Sequence, residues 1–281
     1  MKKNLYLTIV CVLFSVVFVM ANTETALWSE NFEGDWTANW YVDAGTWEVG
    51  IPTSGPNAAH TGDKCAATVL GGNYPANANT RLIRFNTFTV PSANQNPRLR
   101  FWHWYSFASA DQGTVQIKVG TGDWETISET YINTGSAVWT YSSIDLSSYA
   151  GLSVQLAFLL KSDGSGYTVS TGWYIDDIEV VSGPIVFNNP ETWESGLGDW
   201  YPDLGTWEVG TPSSGPGSAH TDQKCAATVL NGNYHASVNS RLISPQFTVP
   251  SANQNPRLRF WHWYSFASAD QGTVQIKVGT G

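Results

Sequence analysis

The chain has 281 residues, room for one or two domains, with 14 % aromatic and 13 % charged residues and a formal charge of −9. So many aromatic side chains exclude a disordered chain, and an acidic balance without a basic patch excludes nucleic acid and anionic membranes as partners. Gly-, Ser-, Thr- and Asn-rich connections between Trp-rich segments favour strands and turns over helices.

In chain order, residues 1–21 read as a signal peptide. Lys2 and Lys3 supply the positive start, residues 5–20 are an uncharged apolar run, and Val19 and Ala21 suit cleavage after Ala21. A membrane anchor is the alternative, disfavoured because the run is short and polar sequence follows at once. No other apolar run is long enough to span a bilayer, so no membrane span is expected after signal removal. Cleavage takes Lys2 and Lys3 and moves the charge to −11. The mature chain is expected to be secreted or at the cell surface.

Strand signals follow. Residues 98–107 (RLRFWHWYSF), 114–119 (TVQIKV), 153–161 (SVQLAFLLK) and 173–181 (WYIDDIEVV) alternate or run apolar between turns. No stretch has a helical period with caps. The expected fold is all-β, an antiparallel sandwich. In the strand from Arg98, Leu99, Phe101, His103, Tyr105 and Phe107 share one face, which suits a core. Arg98, Arg100, Trp102 and Trp104 share the other, which suits a solvent-facing platform for sugar rings or peptide groups. Alternatively both faces are covered.

An internal repeat organises the chain. GTWEVG at 45–50 returns at 205–210, and residues 88–122 are identical to 247–281. A period of 160 residues, 159 later, is that of a domain rather than a solenoid unit. Module one is expected over 22–182, followed by a short linker, Gly183-Pro184. Module two is expected over 185–281 and incomplete, because residues 123–182 have no counterpart after residue 281. The chain therefore reads as part of a longer protein. By the same repeat, Arg257, Arg259, Trp261 and Trp263 are the second platform. Cys65 and Cys225 both occur in CAATVL, so they cannot pair within one module. Each is either a small buried residue or half of a bridge between modules.

No catalytic pattern emerges. Four of the five histidines form repeat-related pairs, His60 with His220 and His103 with His262, leaving His235. There is no HExxH and no GxSxG with a matching acid and base. Asp176 and Asp177 are neighbours on one strand, the wrong arrangement for two carboxylates flanking a glycosidic bond. An enzyme is not expected within these residues.

Several landmarks occur in a distinctive order: Phe32-Glu33, Trp47, GPNAAHTG at 55–62, Arg81-Leu82-Ile83, LRFWH at 99–103, Trp139 and GWYIDDI at 172–178. This order resembles the MAM domain and its bacterial relatives, the cleaved-adhesin modules and ancillary domains of secreted immune-inhibitor-type metallopeptidases. The resemblance implies a two-sheet jelly roll in a bacterial extracellular or periplasmic protein, with one cysteine per module instead of the eukaryotic disulfides. It also implies structural calcium where the first and last strands meet, with Glu33, Asp63, Asp176 and Asp177 as ligand candidates and Glu194 and Asp222 at the matching positions of module two. Adjacent Asp176 and Asp177 should point to opposite faces, so that at most one ligates directly. Turn capping is the alternative role. The function expected is adhesion to an extracellular glycan or protein. The alternative is an ancillary part of a secreted peptidase or other hydrolase whose catalytic domain lies elsewhere.

Overall fold

Period-two alternation leaves each strand one apolar face, and two sheets bury those faces against each other. A computed structural model describes residues 23–133, 135, 138–164 and 169–279. The expected signal peptide lies outside them. Among the described residues helix is confined to three-residue 3-10 turns, such as Trp36–Ala38.

The first repeat is an antiparallel jelly-roll sandwich. Its strands are β1 (Thr25–Glu30), β2 (Trp40–Val42), β3 (Glu48–Gly50), β4 (Cys65–Ala67), β5 (Asn79–Arg84), β6 (Phe88–Thr89), β7 (Arg98–Ser106), β8 (Gln112–Val119), β9 (Trp124–Thr126), β10 (Tyr131–Ile132), β11 (Thr140–Asp145), β12 (Ser153–Lys161) and β13 (Gly172–Ser182). One sheet runs β11-β7-β13-β4-β3, with β1 also on β13. The other runs β10-β8-β12-β5-β2, with β6 on β12 and β9 on β8.

Leu99, Phe101, His103 and Tyr105 of β7 face inward, as the parity predicts, together with Trp173, Ile175, Ile178 and Val180 of β13. They meet Leu82, Val115, Ile117, Leu156 and Phe158 from the other sheet. Trp173 is the hub. Its ring centroid lies 5.4 Å from Tyr131, 5.6 Å from Phe158 and 6.1 Å from Trp47.

One irregularity positions the functional face. Between Asp176 and Glu179, β13 advances three residues while β7 advances two, from Trp102 to Arg100. Asp177 is the extra residue and takes φ +45°, a β-bulge. At this bulge the far edge of β13 changes partner, from β4 (at Tyr174 and Ile175) to β1 (from Ile178 onward).

The second repeat forms β14 (Tyr201–Pro202), β15 (Glu208–Gly210), β16 (Cys225–Ala227) and β17 (Leu242–Ile243). The β15–β16 register, Glu208 opposite Ala227, repeats Glu48 opposite Ala67 in β3–β4. The described residues 247–279, identical in sequence to 88–120, contain no strand. Phe260 and Ile276 are 55 % and 76 % exposed, whereas their counterparts Phe101 and Ile117 are fully buried. Cys65 is buried, Cys225 is half-buried, and both are free thiols. Burial and the nearby Asp176 and Glu33 carboxylates push the Cys65 thiol up to about 12.

Candidate functional site

Where β13 changes partner, two of its residues lack a sheet neighbour on one edge, and the loop at 60–64 fills the gap. Asp176, fully buried, accepts the His60 and Thr61 backbone N–H groups on Oδ2 at 3.0 and 3.2 Å, and the Asp177 N–H on Oδ1 at 2.8 Å. Asp177 meets His60 Nδ1 at 2.6 Å and accepts the Thr61 hydroxyl at 2.7 Å. Glu33 accepts the Asp63 and Lys64 N–H groups at 2.8 and 2.7 Å. A Cβ on Gly62 would stand 2.4 Å from the Glu33 carboxylate, and φ there is +63°, so the turn is tailored to glycine.

The electrostatics follow from these contacts. Burial, then the charge of Asp177, push the Asp176 carboxyl up to about 6. Burial pushes Asp177 up too, but His60 and Thr61 outweigh it and hold it low. The Lys64 and Asp63 amides hold Glu33 low.

Three sequence expectations change here. Asp176 and Asp177 do not diverge: the bulge cancels the alternation and both reach the 60–61 turn. Asp63 is exposed and contributes its backbone N–H to the Glu33 clamp. In the second repeat Glu194 repeats that clamp, on the N–H groups of Gln223 and Lys224. Asp222 stands at the place of Gly62, at φ +53°, and Gln223 is the counterpart of Asp63. The donor set, all oxygen, suits a hard cation in its chemistry. Its placement is that of a clamp: among the described residues no three His, Cys, Asp or Glu side chains converge as a metal cage.

Next to the clamp lies an aromatic ridge. The His60 imidazole stacks on Trp102 at 3.9 Å and 13°. Tyr141, opposite Trp102 in the β11–β7 register, lies 5.4 Å away, and Trp139 meets His60 edge-on at 6.1 Å. Trp139 donates its indole N–H to the Ala58 carbonyl at 3.0 Å. A groove of about 670 Å³ runs along the ridge, with Trp102 and Tyr141 on one side and Asn31, Thr61, Asp177 and Glu179 among its polar lining.

The expected four-residue platform is therefore divided. Trp102 lines the groove. Trp104 packs edge-on against Tyr174, with centroids 5.6 Å apart, beside Cys65 and Ala67. Arg98 and Arg100 are not on an open surface. Both are 6 % exposed and form ion pairs with Glu24 and Asp199, because a guanidinium leaves water only with anionic partners. In the second repeat Arg257 and Arg259 are exposed, as are Trp261 (77 %) and Trp263 (57 %). The His220–Trp261 stack, at 4.0 Å and 12°, reproduces that of His60 on Trp102. Sequence reasoning missed Tyr141, and its only signal was Trp139 two residues earlier, the same-face spacing of a strand.

His103 is confirmed as a core histidine. Burial pushes it down to about 3, and its Nδ1 accepts the Trp173 indole N–H at 3.3 Å.

No protein-family model matches the chain. A stretch of 158 residues, 55 % of the chain, is 35 % identical to bacillopeptidase F of Bacillus subtilis (strain 168) and spans 10 % of that protein. Among solved structures, the C-terminal family 22 carbohydrate-binding module of Clostridium thermocellum Xyn10B matches 58 % of this chain and 97 % of its own, at 13 % identity and TM-score 0.38. The tandem family 22 modules of Paenibacillus barcinonensis Xyn10C match 74 % of this chain and 61 % of their own, at 18 % identity and TM-score 0.36.

Proposed function

We propose that this chain is a non-catalytic, extracellular glycan-binding protein, with one module at 22–182 and another at 185–281. The observation that carries this reading is the Trp102–Tyr141 ridge bordered by hydrogen-bonding groups. The apolar C–H face of a sugar ring stacks on an aromatic ring, and its hydroxyls donate to carboxylates and amide oxygens. Asp177, Glu179 and Asn31 supply such acceptors within one groove. His60, stacked on Trp102 and bonded to Asp177, holds the indole against the clamp, so the ridge is rigid before ligand arrives.

Native-gel retardation in xylan, mannan, galactan and β-glucan, followed by calorimetry, tests this. Trp102→Ala is expected to weaken the bound glycan by about 30-fold, the loss of roughly 2 kcal/mol from a hot-spot aromatic. The unfolding midpoint should fall much less than affinity does, because Trp102 lies on the outer face of the sheet and is only partly buried, against His60 and Tyr141. Undiminished affinity in the variant, or no retardation in any glycan, would remove the reading.

A second reading has its own support. The 35 % identity to part of bacillopeptidase F favours an ancillary role beside a peptidase. A peptidase domain encoded in the same reading frame would select it.

Calcium is the finer part of the proposal. Its support is charge: Glu33, Asp176 and Asp177 crowd one loop, and burial and Asp177 raise Asp176. A hard cation would relieve that repulsion, at the cost of some backbone amide contacts. Thermal unfolding in millimolar calcium against chelator is expected to differ by several degrees, as for any ligand of the folded state alone, about 2.7 kcal/mol at a hundredfold excess over Kd. Asp176→Asn should abolish the difference. Identical midpoints in the wild type would leave the clamp metal-free.

A further inference from the structure

The arginines set aside from the binding platform have a different task. Asp199, at the opening of the second repeat, receives Arg100 Nη2 at 2.5 Å and Arg98 Nη2 at 3.2 Å. Its other oxygen accepts the Val186 N–H at 2.7 Å. Glu24, just before β1, bridges the same two guanidinium groups. The Asp199 side chain is 10 % exposed and those of the arginines 7 %. Two more contacts cross the junction: the Gly205 N–H donates to the Tyr105 hydroxyl at 3.1 Å, and the Thr206 hydroxyl donates to the Gly135 carbonyl at 3.2 Å. The first repeat has Asn39 where the second has Asp199. The acid is thus present only in the repeat that has a preceding arginine pair to meet.

This latch builds a second groove, of about 530 Å³. His60, Trp102, Trp139 and Tyr141 form one wall, and Leu197 and Glu208 of the second repeat lie on the other. Trp102 and Tyr141 line both grooves, so the aromatic ridge is shared between them. We infer that the ligand path crosses the junction, and that the chain takes an extended oligosaccharide running from the first groove over the ridge into the second, rather than a terminal sugar. This rests on the glycan-binding reading above. Asp199 is a positioning residue: it touches no ligand and holds the second wall at its distance from the first.

The test uses the full chain with β-1,4-linked tri- and octasaccharides of xylose, mannose and galactose, measured by calorimetry. The octasaccharide of the preferred sugar is expected to bind at least about tenfold tighter than its trisaccharide, because the second groove is engaged at high effective concentration. Asp199→Asn, nearly isosteric but uncharged, should bring the octasaccharide down to the level of the trisaccharide. Leu197→Asp, which leaves the latch intact and alters only the second wall, should do the same. The second variant keeps the test valid if the first disturbs folding. An octasaccharide that binds no tighter than the trisaccharide in the wild type, or keeps its advantage in both variants, overturns the crossing path and leaves single-groove binding standing. Failure of both lengths to bind brings down the glycan reading itself.

Discussion

Trp173→Ala is expected to remove most of the stability of the first repeat, about 4 kcal/mol, the usual cost of emptying a large aromatic site in a core. Trp173 is fully buried on β13, and its ring centroid lies between 5.4 and 6.3 Å from those of five others, Trp47, His103, Phe107, Tyr131 and Phe158. Its neighbours are shaped to it: a Cβ on Gly113 would stand 2.7 Å from the indole. Truncation also leaves His103 Nδ1 without its donor in an apolar surround. A domain of this size has only about 5–15 kcal/mol in total, so the variant should unfold at far lower urea or fail to fold. Urea titration followed by far-UV circular dichroism measures the loss. Trp102→Ala, on the outer face of the same sheet and only partly buried, is the control, with a clearly smaller expected loss of about 1–2 kcal/mol. Similar losses in the two variants would contradict the assignment of one tryptophan to the core and the other to the site.

The second large effect is in the pH dependence, where two buried groups oppose each other. Burial lowers His103 from 6.5 to about 3. Between those values the unfolded chain holds a proton that the native chain lacks, so stability falls as pH falls. Asp176 is raised from 3.8 to about 6 by burial and Asp177. Between those values the native chain holds the extra proton, so stability falls as pH rises. Each slope is about 1.4 kcal/mol per pH unit, with opposite sign. Glu33 and Asp177, both held low, act mainly below the ordinary carboxylate range. The wild type should therefore be nearly flat from about pH 4 to 6. Asp176→Asn keeps an oxygen for the loop amides and removes one slope. Its stability should rise by roughly 2–3 kcal/mol across that window, from His103 alone. Urea unfolding at three pH values decides it. A variant as flat as the wild type would show that His103 or Asp176 titrates elsewhere.

The site was only partly legible in the sequence. Alternation along residues 98–107 was enough to place His103 in the core and Trp102 outside it, because a strand has two faces and one must leave water. It could not tell that Arg98 and Arg100 would be covered, since Glu24 and Asp199, which neutralise them, lie 74–76 and 99–101 residues away. It placed Asp176 and Asp177 on opposite faces, because strict alternation contains no bulge. The extra residue appears only once β7 is laid beside β13 and the registers disagree by one. Tyr141 joined the site through the same pairing, opposite Trp102.

The limit of local information is drawn most sharply by the repeat. Composition, alternation and the absence of helical periods determined that this chain forms sheets, and a period of 160 residues determined that it is organised as a repeated unit. Yet the sequence shared by residues 88–120 and 247–279 takes two structures among the described residues. At 88–122 it carries β6, β7 and β8, because β11 and β13 satisfy the backbone of β7 and β12 that of β8. At 247–279 the same residues carry no strand and expose their aromatic side chains. A strand's hydrogen-bonding groups point sideways, to partners outside the segment, unlike those of a helix. Which residues could be strand was written locally, and which of them are strand was decided by the neighbours that tertiary structure supplied.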